Sequence, residues 1–241
     1  MIIKKYIDFI KFDIMINKEV NIIKTEELFL SDESIAIDFI RKYEYPYQAL
    51  PHIKDYIIEL GKTLSDDYEL KGENIWIHKT AKIAKNVDIT GPCIIDEGAE
   101  IRPSAFVRGS AIIGKNCVFG NSCEIKNAII FNNSQVPHFN YVGDSILGYH
   151  THMAAGSITS NLKISGTPIV IKNGEEIIET NMRKIGAILG DYAEVGCNTV
   201  LNPGTIIGHH TIVYPLVSVR GVIPSKSIVK DMNNIVPRRE D

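Results

Sequence analysis

The sequence is short of several things, and each shortage removes a class of protein. Its 241 residues include only four cysteines, Cys93, Cys117, Cys123 and Cys197, with no Cys-x-x-Cys spacing among them. That excludes a disulfide-stapled scaffold and the usual thiolate metal knuckles, and it predicts a reducing, cytoplasmic setting. No excess of positive charge is present: 26 Lys and Arg face 29 Asp and Glu, for a formal net charge of −3. Neither nucleic acid nor an anionic membrane is the partner such a balance predicts. Long apolar runs are missing too. The opening stretch MIIKKYIDFIKFDIMINKEV is interrupted every few residues by Lys or Asp, unlike a signal peptide or a membrane span. With 44% hydrophobic and 23% charged residues, the chain has enough apolar material for a sizeable core.

What is present is a period. Steps of six from Ile77 land on Ile83, Ile89, Ile95, Ile101, Val107, Ile113, Phe119, Ile125 and Phe131. A second run passes through Leu189, Val195, Leu201, Ile207, Val213 and Val219. The position four after each is small or β-branched, as at Ala81, Val87, Cys93, Ala99, Thr199 and Thr205. An α-helix repeats at 3.6 and a simple strand at two, so neither produces a strict six. One large and one small inward residue per hexad describe a flat-sided parallel β-helix. Three hexads close a triangular coil, and coils stack at the roughly 4.8 Å spacing of neighbouring strands. Gly114, Gly120, Gly190, Gly196 and Gly208 follow the apolar slot, where turns are expected to need glycine's backbone freedom.

The repeat organises the rest. Between the two runs the pattern continues one residue out of step at Val142, Leu147 and Met153, and residues 162–184 leave it. Within that insertion PIVIKNGEEIIET predicts a β-hairpin around Asn-Gly, projecting from the coil. Residues 75–230 are thus assigned to the β-helix, residues 231–241 to a C-terminal tail and residues 1–74 to an α-containing cap. In the cap, Ser31-Asp32-Glu33 could start a short helix through Ile40. Leu50 to Leu60 predicts a second, and Pro46 and Pro51 break the stretch between. Its expected role is to cover the open end of the coil stack.

Outward side chains concentrate between Glu124 and Asn161, in Glu-Ile-Lys-Asn-Ala, His138-Phe-Asn-Tyr141-Val-Gly-Asp144 and Ala155-Gly-Ser-Ile-Thr-Ser-Asn161. These motifs resemble the acetyltransferase domain of the bifunctional bacterial enzymes that acetylate glucosamine-1-phosphate and then uridylylate it. The resemblance runs through the repeat to about residue 225 and implies a left-handed coil, an exception to the usual handedness of crossovers. Residues 1–75 do not share it, and no nucleotidyltransferase glycine-rich loop is present. The resemblance implies acetyl-CoA as co-substrate, no metal for acyl transfer, an amino-sugar phosphate as acceptor (glucosamine-1-phosphate foremost) and a homotrimer.

The same resemblance implies roles. His138 would be the general base that takes the proton of the attacking amine, and Glu124 the carboxylate that orients it. Tyr141, Asn161 and Lys184 would bind the sugar and place the acyl group; Ala155, Cys197 and Pro215 would lie along the pantetheine arm. For the phosphate, Arg108 and Lys126 stand eighteen residues apart, one full coil, in the same slot after an inward residue. They should stack on one edge, where an anion would relieve their repulsion. Arg102 looks like the family's phosphate arginine by its tripeptide, but it lies one hexad too early and on a different face. Two departures concern the acceptor: His152 stands where the family has an asparagine touching the sugar, and Ala154 replaces a glycine. Cys93, Cys117 and Cys123 occupy inward slots and are expected to be core.

Two other readings stay open on sequence. A trimeric zinc hydratase would draw on His138, His150, His152, His209 and His210, although the paired histidine spacing of that family is missing. A non-catalytic assembly or sugar-binding solenoid would keep the scaffold without the chemistry.

Overall fold

A computed structural model describes residues 23–239; the interrupted apolar stretch at the N-terminus lies outside them. The hexads fold as short parallel strands, three to a coil. On the first face Ile77 pairs with Ile95 and Ile95 with Ile113. On the second, Ile83 pairs with Ile101 and Ile101 with Phe119. On the third, Ile89 pairs with Val107 and Val107 with Ile125. The chain is the left-handed parallel β-helix that the repeat implies, mainly β with a small helical N-terminal region. Its register residues point inward and are buried, together with the small-slot residues Cys93, Ala99, Ala105, Cys117 and Cys123. Burial pushes the thiols of Cys93 and Cys117 up to about 12, which makes them inert packing groups.

Corners are turned by residues in the left-handed region, such as Ser104, Asn116 and Ser122, at φ of 61°, 53° and 54°. Asn, Ser and Gly bear that conformation at little cost. The glycines after the apolar slot serve another purpose than expected. None of Gly114, Gly120, Gly190, Gly196 and Gly208 is among the positive-φ residues. Instead the next coil lies against them: a Cβ on Gly120 would stand 1.7 Å from the Pro137 carbonyl oxygen, and one on Gly208 2.3 Å from the Ser225 nitrogen. Close backbone approach, not turn geometry, requires glycine there.

The steps from first to second face and from second to third stay at six throughout, for example 130 to 136 and 136 to 142. Every irregularity falls at the corner from third face to first. There Ile125 is followed inward by Ile130, and Val142 by Leu147, steps of five. Phe131 is therefore not an inward register residue as its spacing suggests. It points outward and packs on Phe29, ring centroids 4.8 Å apart. The insertion of residues 162–184 leaves at this same corner, closed at its base by a Leu162–Lys184 bridge. Its hairpin, Val170–Asn173 with Glu176–Glu179, turns through Gly174 and Glu175. One side of it lies back on the coil, with Ile169 and Ile171 buried.

Most of the N-terminal region, residues 25–61, covers a side of the prism; its last strand, Tyr68–Gly72, covers the open end as expected. Helices Thr25–Leu28, Ile37–Ile40 and Ile53–Gly61 and the 3-10 helix Pro46–His52 pack on the first face. That face is unusual in pointing isoleucines outward: Ile94, Ile112, Ile129, Ile146, Ile188 and Ile206 are all 0% exposed beneath the segment and the hairpin. Each such burial is worth about 1.5–3 kcal/mol, so the face cannot be left bare. Ser31-Asp32-Glu33 does not start the helix. Asp32 pairs with Arg41, Glu33 accepts from Asn132, and the helix N-cap is Ala36. The stack ends are finished by antiparallel strands, Tyr68–Gly72 on Ile75–His78 and Asn234–Pro237 on Ser227–Asp231. Part of the expected C-terminal tail is thus a strand.

Candidate active site

Register decides what meets what. At the corner between second and third faces, Gln135 pairs with His152, which sets His138 beside Ala155. Met153 pairs with Val195 and Val195 with Val213, which sets Ala155 beside Cys197 and Cys197 beside Pro215. Backbone bonds close the column: Gly156 N–H donates to the His138 carbonyl, Asn198 N–H to that of Ala155 and Leu216 N–H to that of Cys197, at 3.0, 2.9 and 2.9 Å. His138, Ala155, Cys197 and Pro215 therefore rise in one line along a single edge. His138, Cys197 and Pro215 are exposed on it. The thiol of Cys197, unlike the other three, faces solvent.

From His138 the chain rounds the corner onto the third face, where Glu124 pairs with Tyr141 one coil above and Lys126 with Gly143. Gly143 has a specific use: a Cβ there would stand 2.4 Å from the Tyr141 hydroxyl, so its absence lets the ring lie flat along the face. The Tyr141 hydroxyl accepts from Asn161 Nδ2 at 3.1 Å. Asn161 Nδ2 also donates to Asp144 Oδ2 at 2.5 Å, and Asn127 Nδ2 donates to Asp144 Oδ1 at 2.8 Å. Burial first, then the charges of Asp144 and Glu124, raise the Tyr141 hydroxyl above its ordinary pKa, so it stays a neutral donor. Asp144 and Asn127 received no role on sequence, although Asp144 closes one of the quoted motifs. Both occupy the shortened corner with positive φ, 48° and 47°.

Arg108 sits one coil below Lys126, as the spacing predicts, its N–H donating to the Ile125 carbonyl. Its charge, however, is already taken. The guanidinium pairs with Glu124 at 2.5 Å and lies 5.7 Å from the Phe106 ring centre. Glu124 thus holds Arg108 rather than His138, and the expected relief of cation repulsion comes from a carboxylate within the chain. Arg102 lies on the second face and pairs with Glu100, on a different face as expected. Lys184 joins Asn127 and Asp144 around a pocket of about 550 Å³ at the shortened corner.

His152 is not brought to this group. Its strand faces a different pocket of about 320 Å³, lined also by His150, Tyr192, Glu194, His210 and Arg238. There the rings of His150 and His210 stack on either side of Tyr192 at 5.4 and 4.6 Å. Among the described residues, no three His, Cys, Asp or Glu side chains converge as metal ligands. No described helix is long and apolar enough to cross a membrane.

Comparison with known proteins finds relatives over the repeat. A family model described as the GMPPB C-terminal domain matches residues 89–184. A bifunctional protein GlmU from Methanococcus aeolicus is 34% identical over 182 residues, 68% of this chain and 44% of that protein. A bifunctional sugar-1-phosphate nucleotidylyltransferase/acetyltransferase from Sulfurisphaera tokodaii is 32% identical over 177 residues, 66% of this chain and 43% of that one. The chain spans less than half the length of these relatives. Among solved structures, the polySia-specific acetyltransferase NeuO aligns with a TM-score of 0.43 and 16% identity, over 70% of this chain and 91% of that one. The chain is a left-handed β-helix of hexapeptide repeats and resembles the acetyltransferase part of the bifunctional sugar-1-phosphate enzymes.

Proposed function

We propose that the protein is an N-acetyltransferase that moves the acetyl group of acetyl-CoA onto the amine of an amino-sugar phosphate, glucosamine-1-phosphate foremost. The observation that carries this reading is the straight column of His138, Ala155, Cys197 and Pro215. An extended pantetheine arm needs an unobstructed edge of small or flat residues, and this edge ends at an imidazole beside a polar face. The amine nitrogen attacks the thioester carbon, His138 accepts the proton the nitrogen sheds, and the C–S bond breaks as the CoA thiolate leaves. Tyr141 and Asn161, tied together and to Asp144, would position the sugar and the acyl oxygen. Glu124 would act on His138 only after exchanging its Arg108 partner, for instance when an anionic substrate draws Arg108 away.

We further read the molecule as a cytoplasmic homotrimer. Phe139 and Leu216, 63% and 78% exposed at the corner that carries His138, are apolar groups that a neighbouring prism would cover. The experiment for the activity is a thiol-release screen of acetyl-CoA against amino-sugar phosphates and nucleotide-linked amino sugars. Release dependent on an amino sugar is expected; no release with any acceptor, together with no heat of acetyl-CoA binding, would sink the enzyme reading.

A further inference from the structure

The pocket at the corner from first face to second carries groups that acyl transfer does not use. Gln135 pairs with His152, His152 with Glu194 and Glu194 with Ile212, which stacks Asn133, His150, Tyr192 and His210 in one column. All four stand in the left-handed region, at φ of 59°, 56°, 59° and 55°. The coils below hold Gly98 and Asn116 in the same column, residues that bear this conformation at little cost. Tyrosine does not, and backbone strain of this kind gathers at ligand clamps. What the strain provides is a ladder of three rings, centroids 5.4 and 4.6 Å apart, with Tyr149 edge-on to His150 at 5.8 Å. At those separations no further ring fits between two rungs. The ladder ends at His150, which is exposed, and the residue one coil below it is the short Asn133. Beside that end stand Asn133, Gln135 and His152, whose side chains have no hydrogen-bond partner among the described residues. Thr151 lines the pocket too; it is 1% exposed, and its buried hydroxyl has no partner either. A flat ring face next to amides that both donate and accept, in a cavity of about 320 Å³, suits a single heteroaromatic ring. Stacking supplies affinity in such a site, and the amides read the edge of the ring.

We infer that this pocket binds a purine or pyrimidine base, stacked on His150, with Asn133 and Gln135 on its hydrogen-bonding edge. The part recognised is the uncharged base. Arg238, the cation of the pocket, is engaged by Glu194 at 4.0 Å and by the His210 carbonyl at 3.1 Å. The site is separate from the acetyl-transfer site: Gln135 begins the strand that His138 ends, so about 10 Å of the second face lies between them. None of its residues acts in the proposed acyl transfer, so the inference stands without that reading.

The test is titration calorimetry of the purified full chain, in the assembly it forms in solution, with adenosine, guanosine, cytidine and uridine. Wild type is compared with His150→Asn and Gln135→Leu. Asparagine is what the coils below carry at this corner, so His150→Asn removes the ring without straining the turn, and its thermal midpoint should be unchanged or higher. At least one nucleoside should bind wild type and weaken about tenfold or more in His150→Asn. Its base protons should shift upfield in NMR spectra, the signature of stacking. Gln135→Leu should change the order of preference among the four nucleosides. The titration is repeated with saturating CoA. Binding that CoA displaces belongs to the adenosine of the donor and overturns the inference. So does binding that His150→Asn leaves unchanged, or no binding of any nucleoside at millimolar concentration. N-acetylglucosamine bound in place of the nucleosides, and lost in His150→Asn, would assign the platform to a sugar and reject the base. If the protein binds no CoA, the acetyltransferase reading falls, and the nucleoside titration still decides this site.

Discussion

At the residue scale the molecule turns on atoms that are missing as much as on those present. Gly143 leaves room for Tyr141, and Gly120 leaves room for the next coil. Gly120→Ala would press a methyl group into the Pro137 carbonyl, where only backbone movement relieves it. A loss of about 3 kcal/mol is expected, read as a lower urea midpoint at unchanged slope. His138 is the opposite case, an exposed side chain on which no packing depends. His138→Ala should leave the thermal midpoint within a degree or two and lower turnover at least ~10²-fold. A near-normal rate would remove it from the mechanism. The sequence named His138, Tyr141, Asn161, Lys126 and Lys184 as a group, and register brings them to one face and its two corners. His152 was named with them and lies elsewhere, because proximity along the chain says nothing about which of three faces a residue ends on.

Among the elements, the N-terminal segment and the coil are joined by specific polar contacts as well as by the isoleucine stripe. Asp191, 1% exposed at the corner between first and second faces, accepts from the backbone N–H groups of Leu30, Ser31 and Tyr149 at 2.9, 3.0 and 2.8 Å. Burial raises its pKa and those donors work against the rise. Asp191→Ala would strand donors on both sides of the junction. A destabilisation of about 3 kcal/mol is expected in denaturant, with hydrogen exchange quickening first in residues 25–40. The stripe itself was readable. The residue before each inward position on the first face is apolar, from Trp76 through Ile94, Ile112, Ile129, Ile146, Ile188 and Ile206 to Val222, whereas on the other faces polar residues such as Lys82, Glu100, Glu124 and Gln135 share that place with apolar ones such as Phe106, Val118 and Ile212. A repeat of about eighteen lay inside the repeat of six. Only on the first face is the outward slot apolar without a break, and that is the face that must be covered.

At the scale of the whole molecule, the proposed trimer has a plain test. Sedimentation should show a single species of three times the chain mass, and charged substitution at both Phe139 and Leu216 should shift it to monomer. A fully active wild-type monomer would contradict the assembly. The strict spacing determined the β-helix and the identity of nearly all its inward residues. It could do so because a coil of constant length turns position along the chain directly into position in space. Tertiary structure decided what happens where that length changes. At the corner from third face to first, steps of five and a long insertion break the conversion. Phe131 turns outward there, Asp144 and Asn127 meet, and the pocket opens under Arg183. The placing of the N-terminal region was likewise a tertiary matter. Its residues 25–61 fold over a side because the largest unpaired apolar surface is the first face, whereas the strand edges at the two ends are met by short antiparallel strands, Tyr68–Gly72 from the end of that same region and Asn234–Pro237.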